Sequence, residues 1–379
     1  MQTVPVPAAE TPSDSVPGAL TAPHAATRSA IPRERRFTML APMQDVTTLA
    51  FMQLIARRGA PDLFVTEFLR VHATSELDDD IADCAARALP LTGTPLLVQL
   101  IGEDVPALVR AAETILSRFA ETVAGIDFNL GCPMRKIFRK NVGGGLLRDL
   151  PKVAEIFSAL REICSAHGKI FSVKCRLGFD DASPFPRLLE LVRDCGVDLL
   201  AVHARTVRGL YRSPVDYAAI AEAVEKSACA VVANGEISSV DKARFVLEKT
   251  HCAGLMCGRH AVRNPWIFRQ LREMFDGTPR ERIFAPRLGD VFGYIRELEP
   301  CIADLATTPA RAADRMKKFL NFIGTGVDPN GDFLRAVRRA DSPTEIFKIS
   351  EKFLLAGTLA EQPFPPEPFP RLCARPNCE

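Results

Sequence analysis

Gly125-Ile126-Asp127-Phe128 runs directly into Asn129-Leu130-Gly131-Cys132-Pro133. The first four residues read as a buried strand, and the next five as the loop at its carboxyl end. The loop continues into the basic segment 135–140 and the glycine run 143–145. A cysteine at such a junction can act as a proton donor or a nucleophile, and we expect the neighbouring cations to lower its pKa. The alternative is a buried structural cysteine.

This change from an apolar run to a polar loop occurs eight times along the chain. Strand-like runs lie at residues 37–41, 62–66, 95–100, 125–129, 170–175, 198–203, 228–234 and 254–257. Helical patterns separate most of them, at residues 49–58, 105–119, 151–166, 184–195, 217–226 and 240–249. Short strands with helical crossovers predict an α/β fold, a (β/α)8 TIM barrel over residues 35–278. An open doubly wound sheet would need G-x-G-x-x-G after its first strand, where the chain has Ala41-Pro42-Met43-Gln44.

Composition narrows the class of protein. The chain has 379 residues, 47% of them hydrophobic, which is enough for a barrel and a smaller unit. Its 48 basic and 46 acidic residues nearly balance, so any nucleic acid must meet a local basic patch. The eleven cysteines are scattered and no signal-peptide segment follows Met1, which predicts a reduced, cytoplasmic protein. No apolar run reaches the roughly 18 residues of a membrane-spanning helix, so no membrane association is expected.

Three further segments surround the barrel. Residues 1–34 are rich in Pro, Ala, Ser and Thr, which predicts a disordered N-terminal tail. Strand signals stop near Pro279, and residues 279–361 are predicted to form a small all-helical domain, with helices at 291–305, 309–323, 332–339 and 343–356. Residues 362–379 are Pro-rich and predict a second disordered tail. Its Cys373 and Cys378 have no second pair nearby, so no metal site is expected.

Polar or special residues end every predicted strand. Because the active site of such a barrel forms at the carboxyl ends of the strands, these residues are expected to share one mouth. They are Pro42 with Met43, Glu67, Gln99, Asn129 with Cys132, Lys174 with Arg176, His203 with Arg205, Asn234, and Gly258 with Arg259.

This set of residues suits flavin mononucleotide (FMN). Segments 234–236 and 258–259 predict a phosphate cradle after the last two strands. Gln99 and Asn129 carry amides that both donate and accept, as the pyrimidine edge of a flavin requires. Lys174 would place positive charge near the N1–C2=O end of the ring. The alternative is a barrel that holds a sugar phosphate without flavin.

In this order the motifs resemble the tRNA-dihydrouridine synthase family over residues 37–356. The Gly-Cys-Pro element and the Asn-Pro-Trp ending are the most specific. The resemblance implies an FMN enzyme that uses NADPH to reduce the C5–C6 double bond of selected uridines in tRNA, and it leans toward the bacterial branch that acts on D-loop position 16. The matching elements are Ala41-Pro42-Met43, Thr66-Glu67-Phe68, Val98-Gln99-Leu100, Asn129-x-Gly-Cys132-Pro, Val173-Lys174-x-Arg176-x-Gly178, His203-x-Arg205-Thr206, Asn234-Gly235-Glu236-Ile237 and Gly258-Arg259…Asn264-Pro265-Trp266.

The resemblance also implies roles for single residues. Cys132 resembles the general acid of the family, which protonates C5 while hydride reaches C6. Asn129 and Arg176 resemble groups that face the flipped uracil, and Arg70 resembles an RNA contact. The chain departs from the family at Gln44-Asp45, where Glu-Gly is usual, and this bears on the shape of the first loop. The FMN contacts of the family correspond to Gln99, Lys174, His203, Asn234, Gly235, Glu236, Gly258 and Arg259, with Pro42 and Met43 approaching through their backbone.

RNA binding has a physical signal of its own. A uridine in folded RNA must be flipped out to reach a barrel mouth, so the protein must hold phosphates nearby. Segment 311–339 carries seven basic and three acidic residues, although a charge run is also typical of a solvated helix face. We expect tRNA contacts from Arg315, Lys317, Lys318 and Arg338. NADPH has no Rossmann motif here and would visit the flavin transiently, and a monomer is expected.

Two other functions stay open from the sequence. One is an FMN barrel oxidoreductase that acts on a small molecule, against which the basic helical domain and the Gly-Cys-Pro element argue. The other is a tRNA-binding protein without catalysis, against which Cys132 and Lys174 argue.

Overall fold

The computed structural model describes residues 30–302 and 308–374. Their strands run parallel in the order β1-β9-β8-β7-β6-β5-β4-β2, and β3 also pairs with β4. A parallel bridge between Met39 and Leu63 joins the two ends of the sheet. Since β2 and β3 are two parts of one interrupted strand, the barrel has eight strands, which confirms the predicted fold. The strands are β1 (Phe37–Leu40), β2 (Phe64–Val65), β3 (Leu69–Arg70), β4 (Leu96–Ile101), β5 (Val123–Leu130), β6 (Ile170–Arg176), β7 (Leu199–His203), β8 (Ala230–Asn234) and β9 (Gly254–Cys257).

Helices follow each barrel strand, and most start at a side chain that accepts a backbone hydrogen bond. Thr48, Asp78, Asp104, Asp149 and Ser239 cap helices in this way. The barrel helices are α1 (Leu49–Gly59), α2 (Asp79–Thr92), α3 (Val105–Arg118), α4 (Arg135–Phe138), α5 (Leu150–Ala166), α6 (Phe185–Asp194), α7 (Tyr217–Lys226), α8 (Val240–Thr250), α9 (Arg259–Arg263) and α10 (Ile267–Phe275).

The inside of the barrel is a closed apolar core. Phe37, Met39, Leu97 and Val232 are completely buried there. Ile31, which precedes β1, packs into the same cluster and is only 5% exposed. The predicted N-terminal disorder is therefore wrong for this residue, because its apolar side chain is taken into the core. Residues 1–29 of that tail lie outside the described chain.

The helical domain packs against the barrel through aromatic and polar contacts. The rings of Phe51 and Phe319 lie 5.3 Å apart, and the Tyr294 hydroxyl donates to the Val262 carbonyl at 2.9 Å. The helices are α11 (Leu288–Ile302), α12 (Pro309–Ile323), α13 (Asp332–Arg339) and α14 (Pro343–Leu354). The bounds of α12 and α13 agree with the prediction, while residues 303–305 of the first predicted helix lie outside the described chain.

The Pro-rich C-terminal segment is packed instead of disordered over residues 362–374. Arg263 donates to the carbonyl oxygens of Pro365, Pro366 and Glu367 at 2.6–3.1 Å, and Phe364 is 3% exposed beneath its guanidinium. The predicted disorder is therefore wrong here, because a buried arginine donates to three carbonyl groups of the segment, and the Phe364 ring is covered. Residues 375–379, which include Cys378, lie outside the described chain.

Candidate active site

Three polar side chains form a hydrogen-bonded chain at the ends of β4 and β5. Gln99 Nε2 donates to Asp127 Oδ2 at 2.6 Å, and Asn129 Nδ2 donates to Gln99 Oε1 at 2.8 Å. Ser172 Oγ on β6 donates to the other Asp127 oxygen at 2.6 Å. Gln99 is completely buried, and burial raises the pKa of Asp127. The network therefore fixes the orientation of the two amides that the sequence predicted for this mouth.

Asn129 also shapes the loop that carries Cys132, residues 131–149 (the Cys132 loop). Its Oδ1 accepts hydrogen bonds from the backbone N–H groups of Gly131 and Cys132, both at 3.1 Å. Arg176 Nε donates to the Gly131 carbonyl at 3.1 Å, and its Nη1 donates to two carbonyls of the loop after β7 at 2.8 Å each. Cys132 is thus held between β5, β6 and the loop after β7.

The glycine run packs directly against Cys132. Gly143 has φ +58°, and a Cβ there would lie 3.1 Å from the Cys132 Cβ and 2.9 Å from Ile101 Cδ1. A Cβ at Gly144 would lie 2.9 Å from the Cys132 carbonyl oxygen. These positions need glycine because a larger residue would push the cysteine away.

The Cys132 thiol is half-buried, and burial raises its pKa. The Met134 backbone and the charges of Arg176, Lys174 and Arg70 oppose this shift without reversing it. The expected lowering of the thiol pKa is therefore wrong, because loss of solvent outweighs the neighbouring cations. A thiol that stays protonated at neutral pH is suited to donating a proton and poorly suited to nucleophilic attack.

Several cations lie at the barrel mouth around His203, which is neutral. The Lys174 ammonium has no hydrogen-bond partner within residues 30–302 and 308–374, and burial, together with Arg176, lowers its pKa to about 8. Burial, Arg176 and Lys174 lower the pKa of His203 well below its usual value. Arg205 Nη1 lies 3.2 Å from His203 Nε2. Since a guanidinium only donates, this ring nitrogen accepts and the proton lies on Nδ1.

The loops after β8 and β9 approach the first loop closely. Asn234 Nδ2 donates to the Met256 carbonyl at 2.8 Å, which links the two strands. Gly235 has φ +131°, and a Cβ there would lie 3.4 Å from His203 Cδ2. A Cβ at Gly258 would lie 3.2 Å from that of Ala41 and 3.5 Å from Met43 Sδ, next to Pro42. Both glycines leave room for the close backbone approach that a phosphate cradle needs.

The sequence patterns assigned no role to three residues of the site, which are Tyr211, Arg205 and Glu67. Arg259 lies 3.9 Å from the centroid of the Tyr211 ring, and Arg176 lies 5.5 Å from it. Tyr211 is in a loop with no motif, so no pattern marks it. Arg205 belongs to the His203-x-Arg205 motif, yet only the structure shows its ion pair with Glu236, a predicted FMN contact.

Glu67 is the third, and it fixes the first loop. Its carboxylate accepts from the backbone N–H groups of Asp45 and Val46 at 2.8 and 2.9 Å, and burial raises its pKa to about 7. Asp45 has φ +60°, a backbone conformation that glycine favours. The Asp45 carboxylate contacts Lys318 at 3.0 Å, so the departure from the family's glycine gives the loop an ion pair with the helical domain.

Most of the helical-domain side chains predicted to contact RNA already form ion pairs or hydrogen bonds within the protein. Lys317 pairs with Asp314 at 3.1 Å and Lys318 with Asp45. Among the described residues, Arg315 has no ion-pair partner.

Arg338 is placed differently from its prediction as a phosphate contact. Its Nε donates to Asn321 Oδ1 at 2.8 Å, and its Nη2 donates to the carbonyls of Cys373 and Ala374 at 2.9 and 3.3 Å. The structure thus uses this guanidinium to hold the C-terminal segment. By contrast, Arg70 at the end of β3 is exposed.

Two other site types receive no support from the described residues. Within residues 30–302 and 308–374, no three His, Cys, Asp or Glu side chains come together as metal ligands. No helix in these ranges is long and apolar enough to cross a membrane.

Comparison with known proteins now decides the family. The family model described as "Dihydrouridine synthase (Dus)" matches residues 39–324. The chain belongs to the dihydrouridine synthase family. As a member it is an NAD(P)H-dependent flavin oxidoreductase that acts on tRNA uridines, which confirms the resemblance of the motifs.

Relatives match different lengths of this dihydrouridine synthase. A probable tRNA-dihydrouridine synthase of Helicobacter pylori (strain J99) is 35% identical over 63% of the chain and 71% of its own length. A tRNA-dihydrouridine synthase B of Pseudomonas putida is 34% identical over 68% of the chain and 73% of its own length. A tRNA-dihydrouridine(16) synthase of Cupriavidus necator is 28% identical, but over 85% of the chain and 98% of its own length.

Proposed function

We propose that this dihydrouridine synthase holds FMN at the barrel mouth, takes electrons from NADPH, and uses Cys132 to protonate the uracil of a tRNA uridine. The observation that carries the proposal is Cys132, whose loop is held by hydrogen bonds from Gly131 and Cys132 to Asn129 and from Arg176 to Gly131, at the same barrel mouth as the Lys174 ammonium. A proton donor and a positive charge at one mouth are what reduction of a pyrimidine to a saturated ring requires.

FMN fits the residues at the mouth. Its phosphate matches the close-approach glycines Gly235 and Gly258, with Arg259 beside them. Its ring matches the ammonium of Lys174, whose pKa is lowered by burial, and the amide of Gln99, which is completely buried here and held by Asn129 at 2.8 Å, would border the ring. The remaining contacts would come from His203, Asn234, Glu236 and the backbone of Pro42 and Met43.

Within this proposal, a flavin held by these residues would supply, once reduced, a hydride for C6 of the uracil. Cys132 holds the matching proton on Sγ and gives it to C5, so that two electrons and two hydrogens saturate the double bond. Asn129 and Arg176 keep the loop in place through Gly131, and Arg176 adds positive charge beside the thiol. Neutral His203 offers Nδ1–H as a donor, because its Nε2 is occupied by Arg205.

The tRNA would cover the mouth, with Arg70 and the helical-domain residues Arg315, Lys317 and Lys318 near its phosphates. A monomer in the cytoplasm is part of the same proposal. We also propose D-loop position 16 as the target. The Cupriavidus 16-synthase supports this choice because its match extends over nearly its whole length and therefore includes the helical domain.

The test uses the purified protein and tRNA that lacks dihydrouridine. Heat release and chromatography should yield FMN, NADPH should bleach the flavin under anaerobic conditions, and added tRNA should reoxidise it with dihydrouridine appearing at position 16. Release of another flavin, or reoxidation by small enones but not by tRNA, would contradict the proposal. Modification at another position would contradict only the choice of target.

A further inference from the structure

A second cavity lies beside the Cys132 loop, outside the flavin site. Its volume is about 270 Å³, close to the lower end of the roughly 300–1,000 Å³ typical of ligand pockets. Val71 and His72 line it from the loop after β3, Glu103 and Asp104 from the loop after β4, and Lys136 and Lys140 from the Cys132 loop. A cavity of this size takes a group no larger than about one nucleotide.

Charged side chains of both signs line the cavity. Lys136 and Lys140 are exposed and have no ion-pair partner among the described residues, and Arg70 adds a third cation. Glu103 lines the same cavity from the loop after β4, while Asp104 is occupied in capping α3 through the Ala107 N–H at 2.9 Å. The cations suit a phosphate, and the carboxylate suits ribose hydroxyls or a base amino group.

The cavity shares a side with the proton donor. Ile137 lines it, and a Cβ at Gly143 would lie 3.4 Å from Ile137 Cγ2 and 3.1 Å from Cys132 Cβ. The charge of Arg70 also reaches the Cys132 thiol. In the closed strand order, β4 and β5 lie across the barrel from β8 and β9, which carry the proposed phosphate cradle. The cavity is therefore on the uracil side of the site and away from the flavin phosphate.

We propose that this cavity binds the nucleotide that adjoins the target uridine in the RNA strand, with its phosphate between Lys136 and Lys140. The inference rests on the proposed function, since a flipped uridine at Cys132 must have its neighbour within one phosphodiester linkage. Occupation of the cavity also gives a role to Lys136, on the short helix α4, and to Lys140, just past its end, which line the cavity while Arg135 and Arg139 do not.

The experiment compares two double variants of the holoenzyme. Lys136→Gln with Lys140→Gln removes the cavity cations, and Arg135→Gln with Arg139→Gln removes the same charge from the same loop outside the cavity. We measure tRNA affinity at several salt concentrations, flavin reoxidation by tRNA, and the KM for NADPH. All four side chains are exposed, so melting temperatures should match the wild type.

In the lysine variant, the slope of log tRNA affinity against log salt concentration should be smaller in magnitude by about one, and flavin reoxidation should be slower at low tRNA concentration. The arginine variant should keep the wild-type slope. Equal slopes for the two variants would overturn the inference. A raised KM for NADPH with unchanged tRNA binding would also overturn it and assign the cavity to the dinucleotide. If the wild type itself fails to modify tRNA, the proposed function fails first, which separates the two results.

Discussion

The Cys132 loop and the helical domain both carry clustered positive charge, but the structure uses it differently. Segment 135–140 has four cations and no acid, and within the described chain none of them has an ion-pair partner. In segment 311–339, Lys317, Lys318 and Arg335 pair with carboxylates, and Arg338 holds the C-terminal segment. Both segments have the same formal net charge. Charge counted along a sequence therefore does not show which charges are available to RNA.

The largest effect on activity is expected from replacing the proposed proton donor of the Cys132 loop. Cys132→Ala should slow dihydrouridine formation by about 10²–10⁴, because the proton donor for C5 is lost. Flavin reduction by NADPH should be unchanged, since that step needs no acid from this loop. Stopped-flow measurement of both half-reactions separates the two steps. Cys195→Ala, at another half-buried cysteine, is the matched control and should behave as wild type. Normal tRNA reduction by the Cys132 variant would return this residue to a structural role.

The next contrast is between Lys174, which has no hydrogen-bond partner among the described residues, and Lys318, which forms an ion pair with Asp45. Lys174→Met should stabilise the flavin-free protein by about 1–3 kcal/mol and weaken FMN binding, because the buried charge gains solvent only on unfolding. Lys318→Met removes an exposed ion pair and should change stability by less than about 1 kcal/mol. Denaturant titration of the apoproteins measures both, and equal effects would contradict the contrast.

The pH dependence of the Lys174 effect has a defined sign. The pKa of Lys174 is lowered to about 8 from 10.5, so between these values the unfolded chain binds more protons than the folded one. Stability then rises with pH across this window. The advantage of Lys174→Met over the wild type should therefore be greatest below pH 8 and shrink above it. An advantage independent of pH would mean that lost packing, not charge, is measured.

Arg338→Ala distinguishes a structural cation from an RNA contact. It should destabilise the protein by about 1–3 kcal/mol, because three hydrogen bonds to Asn321 and the C-terminal segment are lost. The salt slope of tRNA binding should not change. A lower slope at wild-type stability would restore the original prediction for this residue.

The smallest effect is expected at Arg315. Arg315→Ala should lower the salt slope by about 0.9, the value for one phosphate contact, and leave stability unchanged. Lys318→Ala should lower it less, since Lys318 must leave Asp45 before it can bind a phosphate. Salt titrations of tRNA affinity compare the two, and a larger change for Lys318 would contradict the order.

Much of the fold follows from local sequence patterns. Alternation of apolar runs and helical periods located the eight barrel strands, and the helical period from Pro309 onward set the start of α12 correctly. The Pro-rich C-terminal segment was mispredicted, because the carbonyl groups of residues 365–367 are satisfied by Arg263, about a hundred residues away. No local pattern carries such a contact.

Several residues of the candidate site were also predictable from the sequence. Strand-end positions gave Gln99, Asn129, Lys174 and His203, because parallel strands bring their carboxyl ends together. The sequence could not predict that the pKa of Cys132 is raised, since this shift is set by how much solvent the folded loop excludes. Tyr211 lacked any signal because Arg259 and Arg176, whose guanidinium groups lie near its ring, come from other segments of the chain.

The most direct test of the central claim is dihydrouridine mapping of tRNA from cells that lack this gene, complemented with the wild type or with Cys132→Ala. We predict that dihydrouridine disappears from one D-loop position, that the wild type restores it, and that the alanine variant, present at the same level, does not. Unchanged dihydrouridine at every position in the deletion strain, or full restoration by Cys132→Ala, would contradict it.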